Sequence, residues 1–145
     1  MIPLRRMQDC IFCKILGGEI PSTQVYQDDY VVAIMDIRPV HLGHVLLIPR
    51  DHVEQTLDMD APTLMHMTAA MQFVARGVVS ATRADGWNLG ANSGAAAGQA
   101  VFHAHWHIIP RYTGDGLKHW ADEAVTHDQL TEMGGKIRAE LTKEL

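Results

Sequence analysis

The run His103-Ala104-His105-Trp106-His107-Ile108-Ile109 sets an imidazole at every second position. Successive side chains of a β-strand point to opposite faces, so His103, His105 and His107 would share one face and Ala104, Trp106 and Ile108 the other. Strand-forming partners, Gly98 ahead and Pro110 behind predict a strand over Phe102 to Ile109. Histidine binds metal, carries protons and attacks electrophiles, all near neutral pH. The row is therefore a solvated sheet face, a metal triad or a catalytic constellation, and three titratable groups in strict register favour chemistry. Same-face neighbours lie about 7 Å apart on a strand, so three in succession do not converge on one ion. At most one of them ligates it.

The chain has two cysteines, Cys10 and Cys13. In a reducing compartment a Cys-x-x-Cys pair is either a redox couple or half of a zinc site. The redox form opens a helix that follows a strand, whereas no strand-like run precedes Cys10.

Several elements are needed to position these groups. Phe12 to Leu16 reads as a short helical turn closed by Gly17-Gly18, and Pro21 opens an extended stretch. Val25 to Gln27 and Tyr30 to Asp36 read as strands around an Asp28-Asp29 turn, and Gly43 to Arg50 as a third. Asp60 caps a long helix over 60–83 with Pro62 in its first turn; Leu64, Met67, Met71, Val74, Val78 and Ala81 recur at helical spacing as its core stripe. Trp87 to Ala91 is the next strand. A second helix starts near Thr126, where Thr126-x-x-Gln129 forms a capping box ahead of Leu130, Met133, Ile137 and Leu141, although Gly134-Gly135 weakens it. One long helix on an antiparallel sheet with a helical tail is an α+β architecture.

At 145 residues and 47% hydrophobic content, the chain is one domain able to bury a core. Its formal charge of −5, without a basic run, argues against a surface that binds nucleic acid by neutralising phosphates. A small phosphorylated ligand held by local groups fits. Arg5-Arg6 is followed by no signal-peptide stretch, and no eighteen consecutive residues are apolar, so the expectation is a soluble cytoplasmic protein without membrane contact.

The pattern His-φ-His-φ-His-φ-φ, with φ apolar, resembles the signature of the histidine-triad superfamily of nucleotide hydrolases and transferases. The likeness extends to Cys10-Ile11-Phe12-Cys13-Lys14-Ile15, Gly18-Glu19-Ile20-Pro21, Asp36-Ile37 with Pro39, Gly43-His44, Ile48-Pro49-Arg50 with His52, Asn92, and Gly98-Gln99. These blocks follow the order of the Hint-like, bacterial-type branch over about residues 10 to 112, leaving 113–145 as a tail with a helix. The resemblance implies a five-stranded antiparallel sheet and a twofold homodimer whose sheets continue across the interface. It also supplies two further zinc ligands, so that Cys10, Cys13, His52 and His103 close a structural Zn2+ site.

The same resemblance makes His105 the nucleophile toward the α-phosphorus of a purine nucleotide, through a covalent nucleotidyl-histidine. His107 would steady charge or pass a proton. Asp36 would grip both ribose hydroxyls, and Phe12, Ile15, Ile20, Ile37 and Leu46 would wall the base, although a plain core role serves those five equally. Asn92 and Gln99 would approach the phosphate, with Gly94 and Gly98 allowing close backbone access. At Ala100 many members of the branch carry a hydroxyl residue; its loss bears on leaving-group preference. His41, His44, His66, His119 and His127 read as surface or loop residues, with His44 close enough in the pattern to face the pocket. Three functions stand: a nucleoside phosphoramidate hydrolase releasing AMP or GMP, a dinucleoside polyphosphate hydrolase of the Fhit-like kind, and a nucleotide-binding scaffold. Ile109-Pro110-Arg111 points to the second, but Cys-x-x-Cys is foreign to that branch.

Overall fold

A computed structural model describes residues 6–118 and 123–143. A short helix α1 (Ile11–Leu16) precedes strands β1 (Gln24–Gln27), β2 (Val31–Met35) and β3 (Val45–Pro49). Helix α2 (Ala61–Thr82), strands β4 (Gly86–Gly90) and β5 (Trp106–Arg111), and helix α3 (His127–Lys143) follow, with one-turn 3-10 segments at Thr56–Asp58 and Ala95–Ala97. The strands form one antiparallel sheet in the order β1-β2-β3-β5-β4.

Each face of the sheet has its own apolar cluster because side chains alternate across it. Val31, Ala33, Met35, Val45, Leu47 and Ile108 pack on one side against Met67, Val74 and Val78 of α2 and Leu130, Ile137 and Leu141 of α3. Val32, Ile34, Leu46 and Ile48 pack on the other against Phe12 and Ile15 of α1. The histidine run meets the sheet on that second face, where Leu46 pairs with His107.

Local chemistry sets the helix ends. The Asp60 carboxylate accepts the Thr63 N–H at 2.8 Å to start α2, while Arg83 closes it in the left-handed conformation at φ 53°. Thr126 and Gln129 make the reciprocal bonds of a capping box, at 2.8 and 3.1 Å. Gly134 does not break α3. A Cβ there would sit 2.6 Å from Thr23 Cγ2, so glycine lets α3 approach the sheet closely. Leu64 departs from the expected core stripe at 40% exposed, since the buried face of α2 runs through Thr63, Met67, Ala70 and Val74.

The histidine strand starts later than expected. β5 runs from Trp106 to Arg111, so His103 and His105 precede it and Pro110 lies inside it. Pairing to β3 ends at Val45 with Ile108, whereas pairing to β4 continues to Gly86 with Arg111. Pro110 thus lies where β5 has a ladder partner on one side only, a position that tolerates a missing N–H. Ahead of the strand, Ala104 N–H donates to Val53 O at 2.7 Å, fastening the run to the segment after β3.

Candidate nucleotidyl-transfer site and metal centre

Four side chains from three parts of the chain meet beside α1. Cys10 is the N-cap residue of α1 and Cys13 lies in its first turn; His52 follows β3 and His103 precedes β5. Cys10 Sγ lies 3.4 Å from His103 Nδ1, Cys13 Sγ 3.4 Å from His52 Nδ1 and 3.6 Å from His103 Nδ1, and the two Nδ1 atoms are 3.1 Å apart. A zinc tetrahedron with bonds of about 2.0–2.3 Å has donor–donor edges of about 3.3–3.8 Å, so the spacing and the two-sulfur, two-nitrogen donor set fit zinc. His103 Nε2–H donates to Pro49 O at 2.8 Å, which leaves the Nδ1 lone pair turned to the cluster.

The nucleophile candidate is oriented from the same residue. His105 Nδ1–H donates to the backbone carbonyl of His103 at 2.7 Å, so its Nε2 holds the lone pair. The Phe12 ring meets His105 edge-on at 5.0 Å and His103 at 5.9 Å, shielding both from water. Burial lowers the His105 pKa, opposed by this carbonyl bond and by the Asp36 charge.

His107 has its proton on the opposite nitrogen. His44, which the sequence reading leaves among surface or loop residues, is only 2% exposed, and its Nε2 lies 2.9 Å from His107 Nδ1. His44 Nδ1 accepts the Val40 N–H at 3.0 Å, so Nε2 must carry the ring proton and donate it. His107 Nδ1 then accepts, which puts the His107 proton on Nε2. Burial pushes both rings down to about 4, aided at His44 by repulsion from His105 and His41 and at His107 by repulsion from His44 and His105, so they are neutral at neutral pH. Asp36 Oδ2 lies 3.5 Å from His44 Nε2. Asp36, His44 and His107 are close enough to suggest a second metal site, but the proton on His44 Nε2 makes them a hydrogen-bond relay. Strand parity carries the missed signal: Leu46 pairs with His107, and His44, two residues earlier, shares that face.

The remaining candidates are placed unevenly. Phe12, Ile15 and Leu46 are buried together on the face that carries His107, and Ile20 packs half-buried beside them. Ile37 is 74% exposed, beyond that cluster. Asp36 Oδ1 accepts the Arg38 N–H at 2.8 Å and so shapes its own turn. Asn92 is half-buried, and its Nδ2 would lie 3.5 Å from a Cβ at Gly98, whose φ is +91°. Gln99 is buried and committed to the backbone: Oε1 accepts Gly94 N–H at 2.8 Å, and Nε2 donates to Glu54 O and to Val101 O at 3.0 Å. It folds the Gly94–Gly98 loop. Of the other histidines, His41 is half-buried against carboxylates, His66 stacks on Tyr30 with ring centroids 3.8 Å apart, and His127 begins α3; His119 lies outside the described residues.

Known proteins resemble the chain in sequence and fold. An adenylylsulfatase, HINT3 of Arabidopsis thaliana, is 42% identical over 123 residues, covering 84% of this chain and 61% of that longer protein. The crystal structure of a Hit-like protein from Bartonella henselae involved in cell-cycle regulation superposes with a TM-score of 0.84 at 40% identity, over 92% of this chain and 98% of its own. A zinc-bound histidine triad family protein from Mycobacterium smegmatis gives 0.83 at 37% identity, over 94% and 95%. The HIT domain pattern matches residues 17–114, and the chain belongs to the HIT family.

Proposed function

We propose that this chain is a nucleotide hydrolase acting at the α-phosphate of purine nucleoside phosphoramidates or related conjugates, releasing AMP or GMP. The observation that carries the reading is the 2.7 Å bond from His105 Nδ1–H to the His103 carbonyl, which fixes the nucleophilic tautomer without a charged partner. Nε2 of His105 bonds to phosphorus as the phosphorus–nitrogen or phosphorus–oxygen bond to the leaving group breaks. His107 Nε2–H faces the developing charge or the leaving group, held in that tautomer by His44. Water then cleaves the nucleotidyl-histidine and frees the monophosphate. Asp36 takes the ribose hydroxyls; Phe12, Ile15, Ile20 and Leu46, with Ile37 at the rim, line the base; Asn92 approaches the phosphate, and Gln99 acts by holding the loop.

Zinc, bound by Cys10, Cys13, His52 and His103, ties α1 to the segments flanking β3 and β5; four protein ligands leave it no open position. A homodimer fits the edge strand β4 and the groove between it and α2, where Leu64, Met65, Trp87 and Leu89 stand exposed. Among the described residues no helix is long and apolar enough to cross a membrane. We assign the whole chain to one such domain, working in the cytoplasm.

The test is turnover of adenosine 5′-phosphoramidate, diadenosine tetraphosphate and adenylyl sulfate by wild type and His105→Ala. The reading expects nucleotide binding to survive in the variant while turnover falls to below about 1%. Diadenosine tetraphosphate as the preferred substrate would move the protein to the dinucleoside polyphosphate class. Wild-type binding without turnover would make it a scaffold, and residual turnover above a few per cent in His105→Ala would remove the covalent step.

A further inference from the structure

Outside the histidine pair and the cysteine cluster, one ionisable group is held between two carboxylates. His41 lies in the turn between β2 and β3, with Nε2 3.0 Å from Asp115 Oδ2 and Nδ1 3.4 Å from Glu123 Oε2. Both carboxylates come from the chain after β5. A neutral imidazole has one N–H and one lone pair, so only the imidazolium donates on both sides. Either neutral tautomer turns a lone pair toward a carboxylate.

The neighbours show what this contact joins. Asp115 also accepts from Arg111 Nη2 at 3.0 Å, Tyr112 N–H at 3.0 Å and Leu117 N–H at 2.8 Å, and the Tyr112 ring meets His41 edge-on at 5.3 Å. Glu123 Oε2 accepts the Leu42 N–H at 3.1 Å, and Glu123 N–H donates to Pro39 O at 2.7 Å. In the turn itself, His44 N–H donates to His41 O at 3.0 Å, while Val40 N–H holds His44 Nδ1. His44 is the other titratable ring in this turn and adds positive charge when protonated. The carboxylates therefore grip the turn whose backbone sets the His44 tautomer, and His44 sets that of His107.

We propose that His41 is a positioning residue: its imidazolium, bridging Asp115 and Glu123, latches the post-β5 segment onto the turn that orients His44 and hence His107. The latch is closed when His41 is protonated and loosens as pH rises and that proton leaves. The catalytic half of this inference rests on His107 as the proton donor; the latch itself does not.

Amide exchange measured by NMR between about pH 5.5 and 8.5, corrected for intrinsic rates, tests the latch. The Leu42 amide, which donates to Glu123, is the direct probe. In the wild type its protection should fall about tenfold across that range, the scale of one charge-assisted contact. Glu123→Gln removes the carboxylate at an exposed site, and His41→Gln removes the titrating ring; both should abolish the pH dependence. His41→Lys, charged throughout, should restore pH-independent protection. Constant wild-type protection, or an unchanged slope in both glutamine variants, overturns the latch. The kcat–pH profile on adenosine 5′-phosphoramidate tests the second half: it should flatten in Glu123→Gln, and a profile identical to wild type overturns the positioning role. Should the wild type turn over no adenylyl substrate, the proposed function fails while amide exchange still decides the latch.

Discussion

Replacing His44 by phenylalanine isolates the relay behind His107. The ring is 2% exposed and phenylalanine has nearly its shape, so packing is conserved while two hydrogen bonds are deleted. Val40 N–H loses its acceptor and His107 Nδ1 its donor. An orphaned buried polar group costs about 1–3 kcal/mol, so the pair predicts a loss of about 2–5 kcal/mol once the easier burial of phenylalanine is credited. Chemistry should suffer separately. Without the His44 donor, His107 is no longer held with its proton on Nε2, and loss of a positioned acid predicts a fall of about 10²–10⁴ in kcat. His44→Gln keeps an amide N–H within reach of His107 and should recover most of that rate, though not the Val40 contact. Urea melts and single-turnover rates on adenosine 5′-phosphoramidate measure the two losses independently. A folded His44→Phe protein turning over within about threefold of wild type would refute the relay, and equal rates for the glutamine and phenylalanine variants would show that the hydrogen bond is not what matters.

Protein purified without added metal should contain one zinc per chain, and Cys10→Ser/Cys13→Ser should lose both the metal and several kcal/mol of stability; elemental analysis and melting of that variant check it, and full stability without metal refutes the site. Acid should weaken the fold through His44 and His107, whose pKa values burial holds at about 4. Unfolded rings take up protons from about pH 6.5, so this stability is complete above that pH and is lost as pH falls toward 4, by about 3 kcal/mol for the first proton on the pair. Urea melts at both ends of that window should show a smaller loss in His44→Phe than in wild type; equal losses would assign the acid sensitivity elsewhere. If Asp36 grips the ribose, deoxy-AMP should bind about tenfold more weakly than AMP, and GMP within about tenfold of AMP because the base meets apolar walls; equal binding of AMP and deoxy-AMP in a competition assay would remove Asp36 from the ribose.

The sequence carried the sheet because its signals are local: short β-prone apolar runs in β2 and β3, the Asp60 cap, the capping box at Thr126. It misplaced the start of β5 because strand assignment depends on a partner: pairing with β3 stops at Leu47 with Trp106 and pairing with β4 at Gly90 with His107, so His103 and His105 precede the ladder. Alternation still brought chemistry together, since His103 reaches the cysteines while the His105 and His107 rings lie 5.1 Å apart. His44 was legible only through pairing register, which single-strand patterns do not contain. The committed amide of Gln99 was not legible at all: its partner Glu54 is distant in sequence, and nothing local distinguishes an amide that folds a loop from one that meets a phosphate.

Three histidines at alternate positions of one run are identical in type, yet the fold gives them different proton placements. Pro49 O takes the proton of His103 at Nε2, His103 O takes that of His105 at Nδ1, and His44 fills Nδ1 of His107 so that its proton sits on Nε2. Each partner is a neutral group, so the division of labour does not depend on a nearby charge that salt could screen. The second bond also makes His103, the proposed metal ligand, and His105, the proposed nucleophile, neighbours through a single peptide group. A His103 ring that swung away from Cys10, Cys13 and His52 would carry strain into the carbonyl that orients His105, and the catalytic tautomer would be lost without any change at His105 itself. A metal held by these four ligands would therefore bear on His105 through backbone geometry alone, without needing an open coordination position.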